Sequence, residues 1–360
     1  MSSAKTIHIV VFGIGNVGST LIRQINEANS FLWEQHHLRV TVPIIANSKY
    51  ALYKDELFSN DWVSDFDRFS VPYDINEIIQ FTKEKAYENL IAIDATASDE
   101  FVTNYVKLVQ NGFHIISANK VANTESIEFY ESLRQALEKH GKSFLYETNV
   151  GAGLPIIETV QSLYQSGEKI QKVRGVFSGS LSYIFNTFSS NDVRFSEVLK
   201  EASKLGFTEP DPRVDLSGKD VARKLLILAR ELQLKTELRD IKVHSLVPKQ
   251  LNGKTSVRQF NERIRELDQP FEVVKRNLKN NSVLRYVGEL DVDAKSLEVK
   301  LVSEEKNTAL GQLKNADSIF EIYTESYGNT PLVIQGAGAG REVTARGVFS
   351  DIVKLSKQLK

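Results

Sequence analysis

Cysteine is absent from the chain, which excludes disulfides, thiolate zinc sites and a cysteine nucleophile together. Long apolar runs are absent too: none approaches the ~20 residues needed to span a bilayer. Residues 1–6 carry no apolar signal region and lead directly into a strand, so a cytoplasmic protein with no membrane partner is expected. Neither sign of charge is in excess: 45 Lys and Arg against 46 Asp and Glu leave a formal net charge of −1. Such a balance gives no long-range field to collect nucleic acid, and none is expected as a partner. The six histidines show no H-E-x-x-H spacing, and the adjacent His36 and His37 point apart on either a helix or a strand, as surface residues do. There is no internal repeat and no low-complexity tract. What remains is a 360-residue chain, 41% hydrophobic and 25% charged, which suits a globular protein of two domains at ~150 residues per domain.

Residues 7–12 form a short run rich in β-branched side chains, followed at once by Gly13-Ile14-Gly15-Asn16-Val17-Gly18 and a helical stretch, 19–28. A G-x-G-x-x-G between a predicted strand and a predicted helix is the context that dinucleotide binding requires. Gly13 allows the tight turn, Gly15 lets the backbone approach a pyrophosphate, and Gly18 lets the helix pack close to the strand. The helix N-terminus adds free N–H groups. An ordinary tight strand-to-helix turn is the competing explanation. The second strand, 39–46, runs into Asn47-Ser48-Lys49 with no acid for ribose hydroxyls. Lys49 leans the reading weakly toward NADP, or tolerance of both nucleotides, although an exposed loop lysine is the more common explanation. Strands follow at 90–93, 114–117 and 143–146, and helices at 75–85, 100–110 and 125–140, the last closed by Gly141. Repeated βα units imply an α/β, Rossmann-type doubly wound sheet, mainly parallel, with helices on both faces. Ligands then bind beyond the C-terminal strand ends, where the loops at Gly13, Asn47, Thr96 and Lys120 fall. Lys120 is either a neighbour of cofactor or substrate, or a solvated loop lysine.

Residues 147–155 break the pattern. Pro155 suits the first turn of a helix running to about 164. Gly151 and Gly153 leave backbone carbonyls free to turn inward. With Glu147 these could cage a hard monovalent cation, but a plain inter-domain hinge is the reading the residues favour. After a strand at 172–177, Ser178-Gly179-Ser180 turns into a helix, 181–187, and a charged, largely helical region runs to about 280. Residues 282–290, 297–302 and 319–324 each alternate apolar and polar, and Gly328-Asn329 is a hairpin signal before a strand at 332–335. Residues 172–335 therefore read as an α+β domain with a largely antiparallel sheet. The glycine-rich run 336–340 is either a connector or a further anion contact. It leads into a last helix, 341–358, with an apolar stripe of Val343, Val348, Ile352, Val353 and Leu355. No strand follows this helix, so it must pack on something already built. The expected domains are 1–150, 151–340 and 341–360.

Residues 206–224 concentrate chemistry: Glu209, Asp211, Asp215 and Asp220 lie beside Arg213, Lys219, Arg223 and Lys224. Pro210 and Pro212 hold the first part extended. Ser217 is the expected N-cap of a helix continued by Ala222, Leu225, Leu226 and Leu228. Asp220 and Lys224 then share one helix face. On spacing alone, a loop feeding a surface helix with one ion pair would explain the stretch.

With Asp94-Ala95-Thr96-Ala97, Ser117-Ala118-Asn119-Lys120, and residues 147–155, 177–184, 206–224 and 336–348 added to the glycine fingerprint, the chain resembles the homoserine dehydrogenases nearly end to end. The short monofunctional form is the expected one, with neither an aspartate kinase nor a regulatory extension. The resemblance implies NAD(P)-dependent interconversion of L-aspartate 4-semialdehyde and L-homoserine, on the way to threonine, methionine and isoleucine. It implies that Lys224 protonates the carbonyl oxygen, that Asp220 holds Lys224, and that Lys120 lies beside the reacting centre. Glu209 would bind the substrate's amino group, with Thr208, Gly179 and Asp220 also at the substrate. Cofactor contacts would come from Gly13, Ile14, Gly15, Asn16, Val17, Gly18, Asn47, Lys49, Thr96, Ala97, Ser98, Lys120, Gly340 and Glu342. Glu147 and the carbonyls of Val150, Ala152 and Leu154 would hold sodium or potassium. The last helix would return to the cofactor domain, and the antiparallel sheet would form a homodimer. Hydride addition to an aldehyde builds alkoxide charge, so a positioned proton donor lowers the barrier. A phosphorylating semialdehyde dehydrogenase needs the cysteine this chain lacks. A non-catalytic NAD(P)-binding regulator would not need Asp220 and Lys224 on one helix face together with Glu209.

Overall fold

Each part of the chain builds its own sheet. The computed structural model describes residues 5–54, 61–253 and 255–359, and the chain divides into two compact units, Met1–Gly153 with Gly340–Lys360 and Leu154–Ala339.

The first unit holds β1 (Lys5–Phe12), β2 (Leu38–Ala46), β3 (Tyr50–Tyr53), β4 (Val71–Pro72), β5 (Leu90–Asp94), β6 (His114–Ser117) and β7 (Phe144–Leu145). They form a seven-stranded sheet in the order β4-β3-β2-β1-β5-β6-β7. The pairs from β2 through β7 along that order are parallel, while β3 and β4 add antiparallel edges. Strand β1 is apolar on both faces because both are covered. Ile7, Ile9 and Val11 join a core with Leu21, Ile22 and Ile25 of the helix Asn16–His36 and with Val348, Ile352 and Leu355 of the helix Arg341–Ser356. Val10 and Phe12 face the opposite cluster with Ile44, Ile78 and Phe113. The last helix thus covers one face of the first sheet, next to the helix Asn16–His36. Val348, Ile352 and Leu355 of its predicted stripe are buried, and Ala345 and Phe349 join them.

Several local expectations change. The first helix spans Asn16–His36 rather than 19–28. After β2 the chain does not enter a helix but turns back as a hairpin: the Asn47 side-chain oxygen accepts from the N–H groups of Lys49 and Tyr50, both at 2.8 Å, and closes the turn. The helix expected over 100–110 is two short ones, Asp99–Val102 and Tyr105–Gln110. The Thr103 hydroxyl and Asn104 amide donate back to the carbonyls of Glu100 and Phe101, competing with helix continuation.

The second unit holds β8 (Ile170–Val176), β9 (Lys242–Val243), β10 (Ser282–Asp291), β11 (Ser296–Glu305), β12 (Ser318–Thr324) and β13 (Leu332–Gly336). Their order is β13-β12-β8-β10-β11-β9, antiparallel throughout except for the short β9–β11 pair. The helices Gly179–Ser190 and Lys219–Glu231 pack on β10. Across the strands a charged row alternates in register, Glu289 opposite Arg174 opposite Glu321, and Arg174 also pairs with Glu304. The charged region before residue 280 is only partly helical (Phe195–Lys204, Val257–Glu262, Asp268–Arg276) and closes around an aromatic cluster in which Phe195 and Phe271 stack 3.7 Å apart.

Candidate active site

The glycine turn lies where strand order reverses, with β2 on one side of β1 and β5 on the other, the crevice where open α/β sheets bind ligands. Backbone bonds from Gly13 N–H to Ala46, Ala95 to Phe12 and Ala118 to Asp94 (2.8–2.9 Å) carry the ladder just past the strands, so the loops leave from one line. Each glycine has its own reason. Gly13 has φ +92°, and a Cβ on it would stand 2.8 Å from the Ala95 carbonyl carbon. A Cβ on Gly18 would stand 1.9 Å from the Gly13 carbonyl oxygen. A Cβ on Gly15 would meet no protein atom within 4 Å. Gly15 is also the N-cap of the helix Asn16–His36 and offers no side-chain cap, which leaves first-turn N–H groups for an anion. This open, donor-lined cradle fits a pyrophosphate.

Beneath the neighbouring loops lies a network that sequence reasoning missed. Asp94 is 1% exposed. One of its oxygens accepts from the Tyr105 hydroxyl (2.7 Å) and the Asn119 amide (3.1 Å), and the other from Thr96 N–H (2.8 Å). Asn119 also donates to the Ser98 carbonyl at 3.0 Å. Burial pushes the Asp94 carboxyl upward while these hydrogen bonds pull it down, and burial beside Asp94 raises Tyr105 well above the usual phenol range. The loops carrying Thr96, Ala97 and Ser98 and carrying Lys120 are thereby tied to one buried carboxylate. Lys120 itself caps the short helix Val121–Thr124. Asn47 is occupied in its hairpin turn, whereas Lys49 is exposed. Gly340 (φ +114°) starts the last helix, and Glu342 pairs at 2.6 Å with Arg23 of the helix Asn16–His36.

The hinge residues are gripped by that helix. Glu147 is buried, its N–H donates to Asp351 at 3.0 Å, and its carboxylate lies 3.8 Å from the Lys354 ammonium. A Cβ on Gly347 would stand 2.5 Å from the Thr148 methyl and 3.0 Å from the Ala152 carbonyl oxygen, so the helix packs closely on these residues. Gly151 and Ala152 both adopt positive φ (79° and 54°), an uncommon pairing for a plain linker. The Leu154 carbonyl accepts from Ile156 N–H at 2.9 Å. No group of three or more His, Asp or Glu side chains converges on a metal-sized site among the described residues. Backbone carbonyl oxygens are the kind of donor a hard monovalent ion takes.

In the second unit, the Lys224 ammonium is held 2.7 Å from Asp220 and donates to the Phe177 carbonyl at 2.9 Å. Its side chain is 12% exposed against 45% for Asp220, so the pair is not the freely solvated surface ion pair that spacing alone allowed. The helix Lys219–Glu231 starts one residue later than expected. Gly218, at φ 74°, is the N-cap instead of Ser217, because the buried Tyr286 hydroxyl leaves no room for a side chain: a Cβ would stand 2.1 Å from it. Ser178 caps the helix Gly179–Ser190, and Gly179 is demanded by the Ala316 carbonyl, 2.9 Å from where its Cβ would be. Asp215, given no role from the sequence, joins these pieces. It accepts from the Ser180 hydroxyl (2.7 Å) and from Glu209 N–H (2.9 Å). Burial pushes its carboxyl upward, while those bonds counter the shift and nearby Asp220 adds to it. Thr208 donates to the Glu209 carbonyl at 3.0 Å, and the Glu209 side chain is exposed. The only sequence signal for Asp215 was its place in a proline-bounded acidic loop.

These features define a two-unit α/β protein of the dinucleotide-binding class, whose second unit carries a lysine held by one carboxylate and one backbone carbonyl. The chain belongs to the homoserine dehydrogenase family: residues 155–353 match the family model for homoserine dehydrogenase, and residues 13–147 match its NAD binding domain. It is 40% identical over 354 residues to the bifunctional aspartokinase/homoserine dehydrogenase of Buchnera aphidicola, covering 97% of this chain and 43% of that protein, so it spans less than half of that relative. It is 34% identical over 377 residues to the homoserine dehydrogenase of Paracoccidioides brasiliensis, covering 99% and 100% of the two chains. A crystal structure of a Candida auris protein of unknown function shares the fold with a TM-score of 0.90 at 33% identity, covering 99% of both chains. No helix among the described residues is long and apolar enough to cross a membrane.

Proposed function

We propose that this protein interconverts L-aspartate 4-semialdehyde and L-homoserine with NADP(H) or NAD(H). The observation that carries the reading is the largely buried Lys224 side chain, its ammonium anchored by Asp220 and the Phe177 carbonyl within the stretch that matches the family. The bound nicotinamide supplies or accepts the hydride. Lys224 gives its proton to the carbonyl oxygen as alkoxide charge develops and takes it back in the reverse direction. Asp220 holds the ammonium in place. Glu209 accepts hydrogen bonds from the substrate's amino group, and Thr208 and Gly179 complete the substrate side. In the first unit the Gly13–Gly18 cradle binds the pyrophosphate. Thr96, Ala97, Ser98, Lys120, Gly340 and Glu342 contribute further cofactor contacts, and Lys49 supplies a positive charge for a 2′-phosphate.

The same proposal includes a sodium or potassium ion on the hinge carbonyls of Val150, Ala152 and Leu154, supported by the two positive-φ residues there. Glu147, whose carboxylate also lies 3.8 Å from the Lys354 ammonium, joins these carbonyls in holding the ion. It also includes a cytoplasmic homodimer formed through the antiparallel sheet. No observation favours a non-catalytic NAD(P)-binding regulator.

The test is oxidation of NADPH or NADH with aspartate semialdehyde, compared with unrelated aldehydes, in wild type and Lys224→Ala. The variant is expected to keep cofactor affinity and lose roughly 10²–10⁴ in kcat. Wild-type turnover by the variant, or no oxidation by the wild type, refutes the reading.

A further inference from the structure

We infer that Arg213 is a positioning residue that sets selectivity for an amine-bearing aldehyde, by fixing the loop that carries Glu209. This rests on the function proposed above. The segment between the helices Phe195–Lys204 and Lys219–Glu231 includes no strand and only one four-residue helix, Arg213–Leu216, which starts at Arg213 itself; Glu209 lies in the loop before it. The Glu209 side chain is exposed, so its carboxylate is aimed by its backbone rather than by packing around the side chain. That backbone has two clamps. One is the Asp215 carboxylate, which accepts from Glu209 N–H and from Ser180.

The other clamp is Arg213. Its Nε and one terminal nitrogen grip both oxygens of Asp211, at 2.9 and 2.7 Å. Its remaining terminal nitrogen donates to the Thr255 carbonyl and hydroxyl, both at 2.8 Å, and to the Leu251 carbonyl at 3.4 Å. The guanidinium also lies 5.4 Å from the centre of the Phe260 ring, and the side chain is only 14% exposed. One planar fork therefore ties the loop to itself and to a segment some forty residues away in sequence. Pro210 and Pro212 flank the gripped Asp211 and stiffen the link between the clamp and Glu209. Lysine has no second face with which to hold Asp211 and Thr255 at once.

The readout is the ratio of kcat/KM for aspartate semialdehyde to that for succinate semialdehyde, which is the same molecule without its amino group. Arg213→Ala is expected to lower this ratio roughly 10- to 100-fold, through KM for aspartate semialdehyde, with succinate semialdehyde turnover and NADPH affinity near wild type. Arg213→Lys is expected to fall between, and Thr255→Val, which removes one hydrogen bond and keeps the shape, to show a smaller drop of the same kind. Glu209→Gln should lower the ratio as Arg213→Ala does. If both aldehydes lose activity equally in Arg213→Ala, or if Thr255→Val and Arg213→Lys keep the wild-type ratio, Arg213 is a fastener only and the inference fails. A wild type that does not discriminate the two aldehydes would instead overturn the assignment of Glu209, separating that failure from this one.

Discussion

A methyl group is the smallest probe of the glycine cradle, and its effect should differ sharply between two glycines three residues apart. At Gly18 the added carbon would stand 1.9 Å from the Gly13 carbonyl oxygen. That atom is backbone, so no side-chain rotation relieves the overlap. Alanine gains ~1 kcal/mol over glycine within a helix, but overpacking costs ~1–3 kcal/mol or more, and the shift must open the turn at Gly13 itself. Gly18→Ala should therefore lower Tm by several degrees, at roughly 2–4 °C per kcal/mol for a chain of this kind. At Gly15 the same carbon meets nothing within 4 Å, and φ −73°, ψ −156° is open to alanine. Losing glycine at an N-cap costs under about 1 kcal/mol, so Gly15→Ala should melt close to wild type. Its methyl nevertheless fills the space a pyrophosphate would enter, and NADPH affinity should fall at least about tenfold. Thermal melts without nucleotide and fluorescence titration with NADPH separate the two effects. Wild-type affinity in Gly15→Ala would mean that the nucleotide does not use this cradle. A wild-type melt in Gly18→Ala would mean that the turn is not as tight as described.

Two further predictions concern stability. Burial, reinforced by Lys142, lowers His114 to about 4 in the folded chain from an ordinary value of 6.5. The unfolded chain thus binds a proton that the folded chain refuses, and this contribution to stability is lost as pH falls from 6.5 toward 4. His114→Gln should flatten the dependence of Tm on pH across that window; an unchanged slope would show that His114 does not drive it. Exchange of sodium and potassium for tetramethylammonium should lower both Tm and turnover if the hinge carbonyls hold an ion, and equal values in the two buffers would remove that site.

Much of the first sheet was legible because its signals are short-range. Strand β1 is recognisable from its short β-branched run, and the glycine turn from steric limits at Gly13 and Gly18. The features that were not legible depend on partners remote in sequence. Asp215 looked like one acid among several until Ser180 was found hydrogen-bonded to it. Gly218 displaced Ser217 as the cap because Tyr286, on another strand, occupies the space beside it. The hairpin after β2 was missed although Asn47 is a turn former, because nothing local distinguished a return strand from another crossover helix.

What the amino-acid order determined alone was therefore the periodicity: which segments are strands or helices, where glycine is compulsory, and which lysine and carboxylate share a helix face. Only the tertiary structure decided which polar groups are withdrawn from water and what they touch. Asp94 beneath two loops, Lys224 against the Phe177 carbonyl and Arg213 across to Thr255 are settled by that arrangement. The physical reason is range: backbone preference acts over a turn or two, whereas the burial and hydrogen bonding of a side chain are set by whichever distant segment packs beside it.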